Sequence, residues 1–245
     1  MKKFLIVFLL ITAAVLAHGR NINGSSGYLS MPTAESLAYK EYNAGISAFI
    51  VNDDDKTPRP YSLNYWKYNL GLGWSDWMEL SLSGRGEREG LFLNAKIAKP
   101  LSEADKTLLV AAGIENLSSM GTFQDYPGLY MVMTKKFVGN HSASLGFMCR
   151  SIGREMPTSM MFGVEFYANE SLSLLGDFVS YNDTLPYYVS NLGLRVTTNK
   201  QRYYELALLN VGYNKEHQFT NKHQDSVTAY PLTLLLSMTI YGVLE

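Results

Sequence analysis

The chain carries a single cysteine, Cys149, among 245 residues. One thiol cannot form an internal disulfide framework. It alternates with Leu145 and Phe147 and reads as an ordinary apolar strand residue. Long apolar runs are also missing beyond the first seventeen residues. Mean hydropathy is near neutral at −0.07, and no later stretch approaches the roughly 20 apolar residues of a helical membrane span. An α-helical membrane protein is excluded. Charge of one sign is lacking too: 21 Lys and Arg face 22 Asp and Glu, so nucleic acid is not an expected partner.

Catalytic signatures are absent. There is no nucleophile elbow, phosphate loop, zinc motif or EF-hand loop, and neither a cofactor nor a metal is expected. The four histidines are His18, His141, His217 and His223. His141 and Ser142 are adjacent, but a Ser–His pair needs hydrogen-bond reach and an oxyanion site, which adjacency does not supply. His217 and His223 match no ligand spacing. Asp53-Asp54-Asp55 could collect a divalent cation, yet reads more simply as a solvated loop tip. Arg85, Glu87, Arg88 and Glu89 form another polar loop.

What is present begins with a leader. Lys2 and Lys3 precede the apolar stretch Phe4 to Leu16, and Val15-Leu16-Ala17 ends it. Residues 1–17 read as a cleavable signal peptide, leaving a mature chain of net charge −3.

Behind the leader, strand-like alternation recurs about a dozen times, near 42–51, 61–73, 78–84, 90–98, 107–115, 129–137, 142–150, 159–168, 171–179, 187–197, 203–212 and 230–241. One face of each is apolar and uncharged, as in Ala44, Ile46, Ala48 and Ile50, or Met160, Phe162, Val164 and Phe166. The opposite face carries polar residues and frequent glycines. In the last strand Thr233, Ser237, Thr239 and Tyr241 alternate with Leu234, Leu236, Met238 and Ile240, with Leu235 as an apolar intruder. A soluble sandwich would show the same alternation. Three features favour a membrane barrel instead. Connections alternate between short turns and long polar loops. Many strands reach the 9–11 residues that cross a bilayer at a tilt. Aromatics gather at strand ends: Trp74, Trp77, Phe137, Tyr203 and Tyr204 by short turns, and Tyr61, Tyr130, Phe178, Tyr187, Tyr188, Tyr213 and Tyr230 by long loops.

The expected fold is therefore all-β: a transmembrane antiparallel up-and-down barrel of about 12 strands over residues 42–245. Residues 18–41 form a periplasmic lead-in or a segment tucked into the barrel mouth. Lys67, Glu79, Lys96, Arg150, Glu165, Asp177, Arg195 and Glu205 fall on the inward face. Unpaired burial of such groups is costly, so they are either hydrated in a pore or paired in a plugged interior. Their mixed signs argue against selectivity for one ion charge, and a partly filled lumen with at most a narrow channel is expected.

Gly27-Tyr-Leu-Ser-Met-Pro-Thr-Ala34, followed by Glu41-Tyr-Asn-Ala-Gly45, resembles the N-terminal signature of the YjbH-like outer-membrane barrels associated with exopolysaccharide production. Gly27, Pro32, Thr33 and Ala34 carry that motif. The hairpin from Asn69 to Leu82 is similar to the family's second hairpin. The resemblance spans about the first third of the mature chain, which is shorter than the full family pattern. It implies an outer-membrane location, with a polysaccharide or small hydrophilic solute, membrane lipid and the outer-membrane assembly machinery as partners. The expected job is non-catalytic: a narrow channel, or an accessory to polysaccharide export. The alternatives are a barrel enzyme acting on lipids through His141 and Ser142, and a secreted soluble β-protein that binds a ligand.

Overall fold

The computed structural model describes residues 20–21, 24–51, 65–85, 91–117, 127–150, 158–182, 187–198, 201–212, 219–220, 226–227 and 232–244. The leader at 1–17, His18, the acidic run 53–55, the loop charges Glu87, Arg88 and Glu89, the aromatics Tyr61, Tyr213 and Tyr230, and His217 and His223 lie outside the described residues.

The strands are β1 (Glu41–Val51), β2 (Tyr65–Ser75), β3 (Met78–Arg85), β4 (Leu91–Pro100), β5 (Leu108–Glu115), β6 (Gly128–Lys136), β7 (Ser142–Arg150), β8 (Thr158–Asn169), β9 (Leu172–Asn182), β10 (Tyr187–Thr198), β11 (Arg202–Gly212), β12 (Phe219–Thr220), β13 (Ser226–Val227) and β14 (Thr233–Val243). β12 and β13 pair only with each other. The other twelve close into one antiparallel barrel, in which β14 joins β11 to β1. β14 runs 233–243 rather than 230–241, because its ends follow β1, from Glu41 opposite Val243 to Val51 opposite Thr233. Closure leaves no edge, which a bilayer requires because it offers no water to unpaired backbone.

Short turns join β2 to β3, β4 to β5, β6 to β7, β8 to β9 and β10 to β11, and the start of β1 meets the end of β14 at that same rim. Between β6 and β7 the chain turns through Gly139 (φ 82°) and Asn140 (φ 65°). Glycine and asparagine adopt this left-handed backbone at least cost. In the turn between β4 and β5, the Thr107 hydroxyl, and then Lys135, hold the Asp105 carboxyl down at about 2.

Burial is inverted relative to a water-soluble protein. Arg195, Lys96 and Glu79 are among the most deeply buried side chains, while Met131 is 68% exposed and Leu192 57%. Along β8, Ser159, Met161, Gly163 and Glu165 are buried, and Thr158, Met160, Phe162, Val164 and Phe166 are exposed. No second sheet covers the apolar row among the described residues. Lipid is the solvent that such a belt fits.

Trp74, Trp77, Phe137 and Tyr204 are exposed by the short-turn rim, and Phe178 stacks on Tyr188 near the other, with centroids 5.5 Å apart. Two aromatics depart from the expected girdles. Tyr130 and Tyr203 are buried inside the barrel, because each sits at inward parity: Tyr130 with Val132 and Thr134, and Tyr203 with Glu205 and Ala207. Tyr203 meets Tyr241 edge-on at 5.0 Å.

Candidate functional site

The interior is built by strand register. Antiparallel partners on one face stand directly opposite. The ladders therefore place Glu79 beside Lys96, Arg195 beside Glu205 and Asp177 beside Asn191.

The lead-in occupies the space between these pairs. At the short-turn rim the Lys40 N–H donates to the Gly73 carbonyl at 3.0 Å, and Glu41 N–H to Ala38 O at 2.9 Å. Upstream of this fold-back the chain runs inside the barrel, where Leu37, Ala34, Met31, Leu29, Tyr28 and Ser26 are all buried. It forms a small hairpin. Gly27 bridges Pro32, Tyr28 N–H donates to Met31 O at 3.0 Å, and Thr33 N–H to Ser26 O at 3.0 Å. Gly27 has no alternative here, since a Cβ on it would lie 2.3 Å from Met31 O.

The wall grips this hairpin through its backbone. Asp177 Oδ2 accepts from the N–H groups of Leu29 (3.0 Å), Ser30 (2.6 Å) and Met31 (3.1 Å), and Oδ1 accepts from the Ser30 hydroxyl at 3.0 Å. Asn191 Nδ2 donates to both Asp177 Oδ1 (2.6 Å) and Ser30 Oγ (2.9 Å). Glu79 accepts from Ser26 N–H at 2.9 Å, from the Ser26 hydroxyl and from Leu37 N–H at 3.1 Å. Lys96 Nζ donates to the carbonyls of Ser26 (3.2 Å), Thr33 (3.4 Å) and Glu35, and lies 3.5 Å from Glu79. Arg195 is held by Glu205 at 2.7 Å and Glu165 at 2.9 Å, and its third nitrogen donates to Gly27 O at 3.2 Å. These are the charge-assisted bonds that burial of ions demands.

Hydroxyl groups extend the grip. Tyr28 Oη lies 3.0 Å from Ser142 Oγ and 2.9 Å from Ser144 Oγ. Thr134 Oγ1 accepts from Ala34 N–H at 2.8 Å. Tyr28, Leu29, Met31 and Ala34 also join an interior apolar cluster with Phe49, Met161, Leu175 and Leu209. Glycines open the wall where the lead-in passes. A Cβ on Gly71 would fall 1.4 Å from Arg20 Nη2, one on Gly163 2.3 Å from the Tyr28 ring, and one on Gly73 1.8 Å from Ala38 O. The frequent glycines of the inward face thus make room for the segment.

Of the residues singled out from sequence, Glu79, Lys96, Asp177 and Arg195 bond the lead-in directly. Glu165 and Glu205 act through Arg195. Lys67 is buried, with its ammonium 5.9 Å from the Phe49 ring centroid. Arg150 ends β7, opposite Gly128 on β6, and its side chain lies outside the described residues. Gly27 and Thr33 supply carbonyls to Arg195 and Lys96, Pro32 closes the hairpin, and Ala34 bonds Thr134.

Sequence reasoning missed Arg20, Asn21 and Glu115. Arg20 lies 3.6 Å from Glu79, and Asn21 Nδ2 donates to Glu115 Oε1 at 2.9 Å. Glu115 was findable, because Leu108, Val110, Ala112 and Ile114 set the outward parity that leaves it inside. Arg20 and Asn21 lie in a segment with no periodicity to read. Among described wall residues, the buried carboxylates are Glu79, Glu115, Glu165, Asp177 and Glu205, against the cations Lys67, Lys96 and Arg195.

His141 and Ser142 separate. The His141 ring stacks on Phe166 at 4.4 Å and its Nδ1 accepts from Tyr167 N–H at 3.0 Å, whereas Ser142 faces the interior and meets Tyr28. Among the described residues no group of three His, Cys, Asp or Glu side chains is placed to hold a metal ion.

No protein-family model matches the chain, and no characterised sequence matches it. Solved structures do. The KdgM porin, in complex with disordered oligogalacturonate, superposes with a TM-score of 0.57 at 6% identity, over 82% of this chain and 98% of that one. An outer-membrane channel from Pseudomonas putida F1 gives 0.56 at 10% identity, over 87% and 100%. The NanC porin gives 0.51 at 10% identity, over 83% and 100%. The chain thus has the fold of twelve-stranded outer-membrane porins, and its closed barrel and apolar belt place it in a Gram-negative outer membrane.

Proposed function

We propose that this chain is a non-catalytic outer-membrane conduit whose polar lumen serves a small hydrophilic solute or a polysaccharide, and which its own lead-in holds shut at rest. One observation carries the reading: the wall groups that would line a water-filled channel are bonded to residues 26–37 of the same chain. A barrel needed only as a structural staple gains nothing from interior charge, since paired ions stabilise less than apolar packing of similar volume. The YjbH-like signature supports a link to polysaccharide export, because Gly27 to Ala34 is the stretch that the lumen grips. Residues 1–17, read as a leader, would direct export, and the assembly machinery of the outer membrane would insert the barrel.

Planar-bilayer conductance of the refolded full-length protein tests this. The wild type is expected to be nearly silent. Gly163→Leu, which drives a side chain into the Tyr28 ring, is expected to conduct. Silence of both proteins, with the barrel folded by heat-modifiable gel mobility, would leave a purely structural role.

A further inference from the structure

The wall of the lumen presents carboxylates and cations in close alternation, and the hairpin it now holds, residues 26–34, carries no charged side chain, while Arg20 and Glu35 on either side of it pair with Glu79 and Lys136. Asp177 and Glu79 take N–H and hydroxyl donors from the hairpin, and Lys96 and Arg195 take its carbonyls. Serine and threonine hydroxyls on β6 and β7 take Tyr28 Oη and Ala34 N–H. The wall side chains Tyr130, Met161 and Leu175 share one apolar cluster with Tyr28, Leu29 and Met31. The hairpin at 26–34 is recognised as a neutral chain of alternating donors and acceptors with apolar faces.

We propose that these wall groups form a binding site for an uncharged, polyhydroxylated chain such as a neutral oligosaccharide, and that the lead-in is its built-in competitor. The inference rests on the conduit reading and adds the substrate class. Each sugar hydroxyl both donates and accepts, so one ligand can meet Asp177 and Lys96 alike, and the C–H faces of its rings match the apolar patches. An acidic sugar fits badly. Buried wall carboxylates outnumber buried wall cations among the described residues, with Arg195 engaged by Glu165 and Glu205 and Lys96 by Glu79, and Lys136, which pairs with Glu35, is only half-buried, at the short-turn end of β6. A polyanion threading past Asp177 would put like charges together in a poorly hydrated interior. This separates the chain from the porin solved with oligogalacturonate, whose fold it shares.

Seating of the lead-in can be read by cross-linking. In a Cys149→Ser background, Tyr28→Cys and Gly163→Cys place two thiols where a Gly163 Cβ would lie 2.3 Å from the Tyr28 ring. Leu29→Cys with Gly193→Cys is a second pair, since a Gly193 Cβ would lie 3.2 Å from the Leu29 methyls. Disulfide formation is followed on the full-length folded protein under a mild oxidant. Maltohexaose at about ten times its dissociation constant should slow cross-linking about tenfold, and hexagalacturonic acid at the same concentration should leave it unchanged. Equal or greater slowing by the acidic sugar overturns the proposal, as does no effect of either sugar on both pairs. If neither sugar acts while Gly163→Leu conducts, the site assignment fails and the conduit reading stands. If Gly163→Leu is silent, the conduit reading itself fails.

Discussion

Asp177 on β9 and Ser30 at the hairpin tip are joined twice, Ser30 N–H donating to Oδ2 at 2.6 Å and Ser30 Oγ to Oδ1 at 3.0 Å. The same Oδ2 takes the N–H groups on either side of Ser30. One carboxylate thus satisfies a run of three consecutive backbone donors, a small anion nest, and acts as the latch of the lead-in. Asp177→Asn keeps the shape but replaces an acceptor-only group with one whose NH2 meets donors. It should lower stability by about 2–3 kcal/mol, measured by urea unfolding in detergent micelles, and expose residues 20–39 to proteinase K while the barrel stays protected.

Arg195 carries a larger share. Arg195→Leu strands Glu165 and Glu205 as buried, uncompensated carboxylates and should cost about 3–5 kcal/mol. Replacing all three with leucine should recover most of that loss, because the desolvation of the ions disappears along with their attraction. If the triple variant is no more stable than Arg195→Leu alone, the triad does not work as a unit.

The glycines of the wall are predicted to matter through what they admit. Gly163→Leu should displace Tyr28 and raise proteolysis of the lead-in, with little change in heat-modifiable mobility. Gly176→Leu is the control. A Cβ there meets nothing closer than 3.6 Å, on the outward row beside Leu192, and the lead-in should stay seated.

Leu192 tests the lipid-facing belt. It lies within β10 opposite Gly176 and Leu208 and is 57% exposed. Because Leu192 stands at the middle of β10, Leu192→Arg should cost about 2–4 kcal/mol in a bilayer, read as loss of folded barrel on reconstitution into phospholipid vesicles. A neutral effect would mean that lipid does not touch this row.

The belt and the strand count were legible because a bilayer imposes a one-dimensional rule: every second residue of each strand must be apolar. Leu192, Leu194 and Val196, or Met160 to Phe166, obey it without reference to any other strand. The inward parity of Glu79, Lys96, Asp177 and Arg195 followed from the same rule. Tyr130 and Tyr203 escape the girdles because nearness to a strand end does not fix which face a residue takes, whereas parity does, and both stand at inward parity.

The chain by itself determined the alternation, the outward belt and the set of side chains that would face inward, since these depend only on residues two apart in one strand. Only the tertiary structure decided what fills the interior. The bond from Leu29 to Asp177 spans 148 residues, and no local pattern in Gly27 to Ala34 encodes which wall carboxylate will meet its amides. That partner was set by barrel closure, which brings β9, β3, β4 and β10 around one axis, and by the glycines that leave the segment room to lie along it.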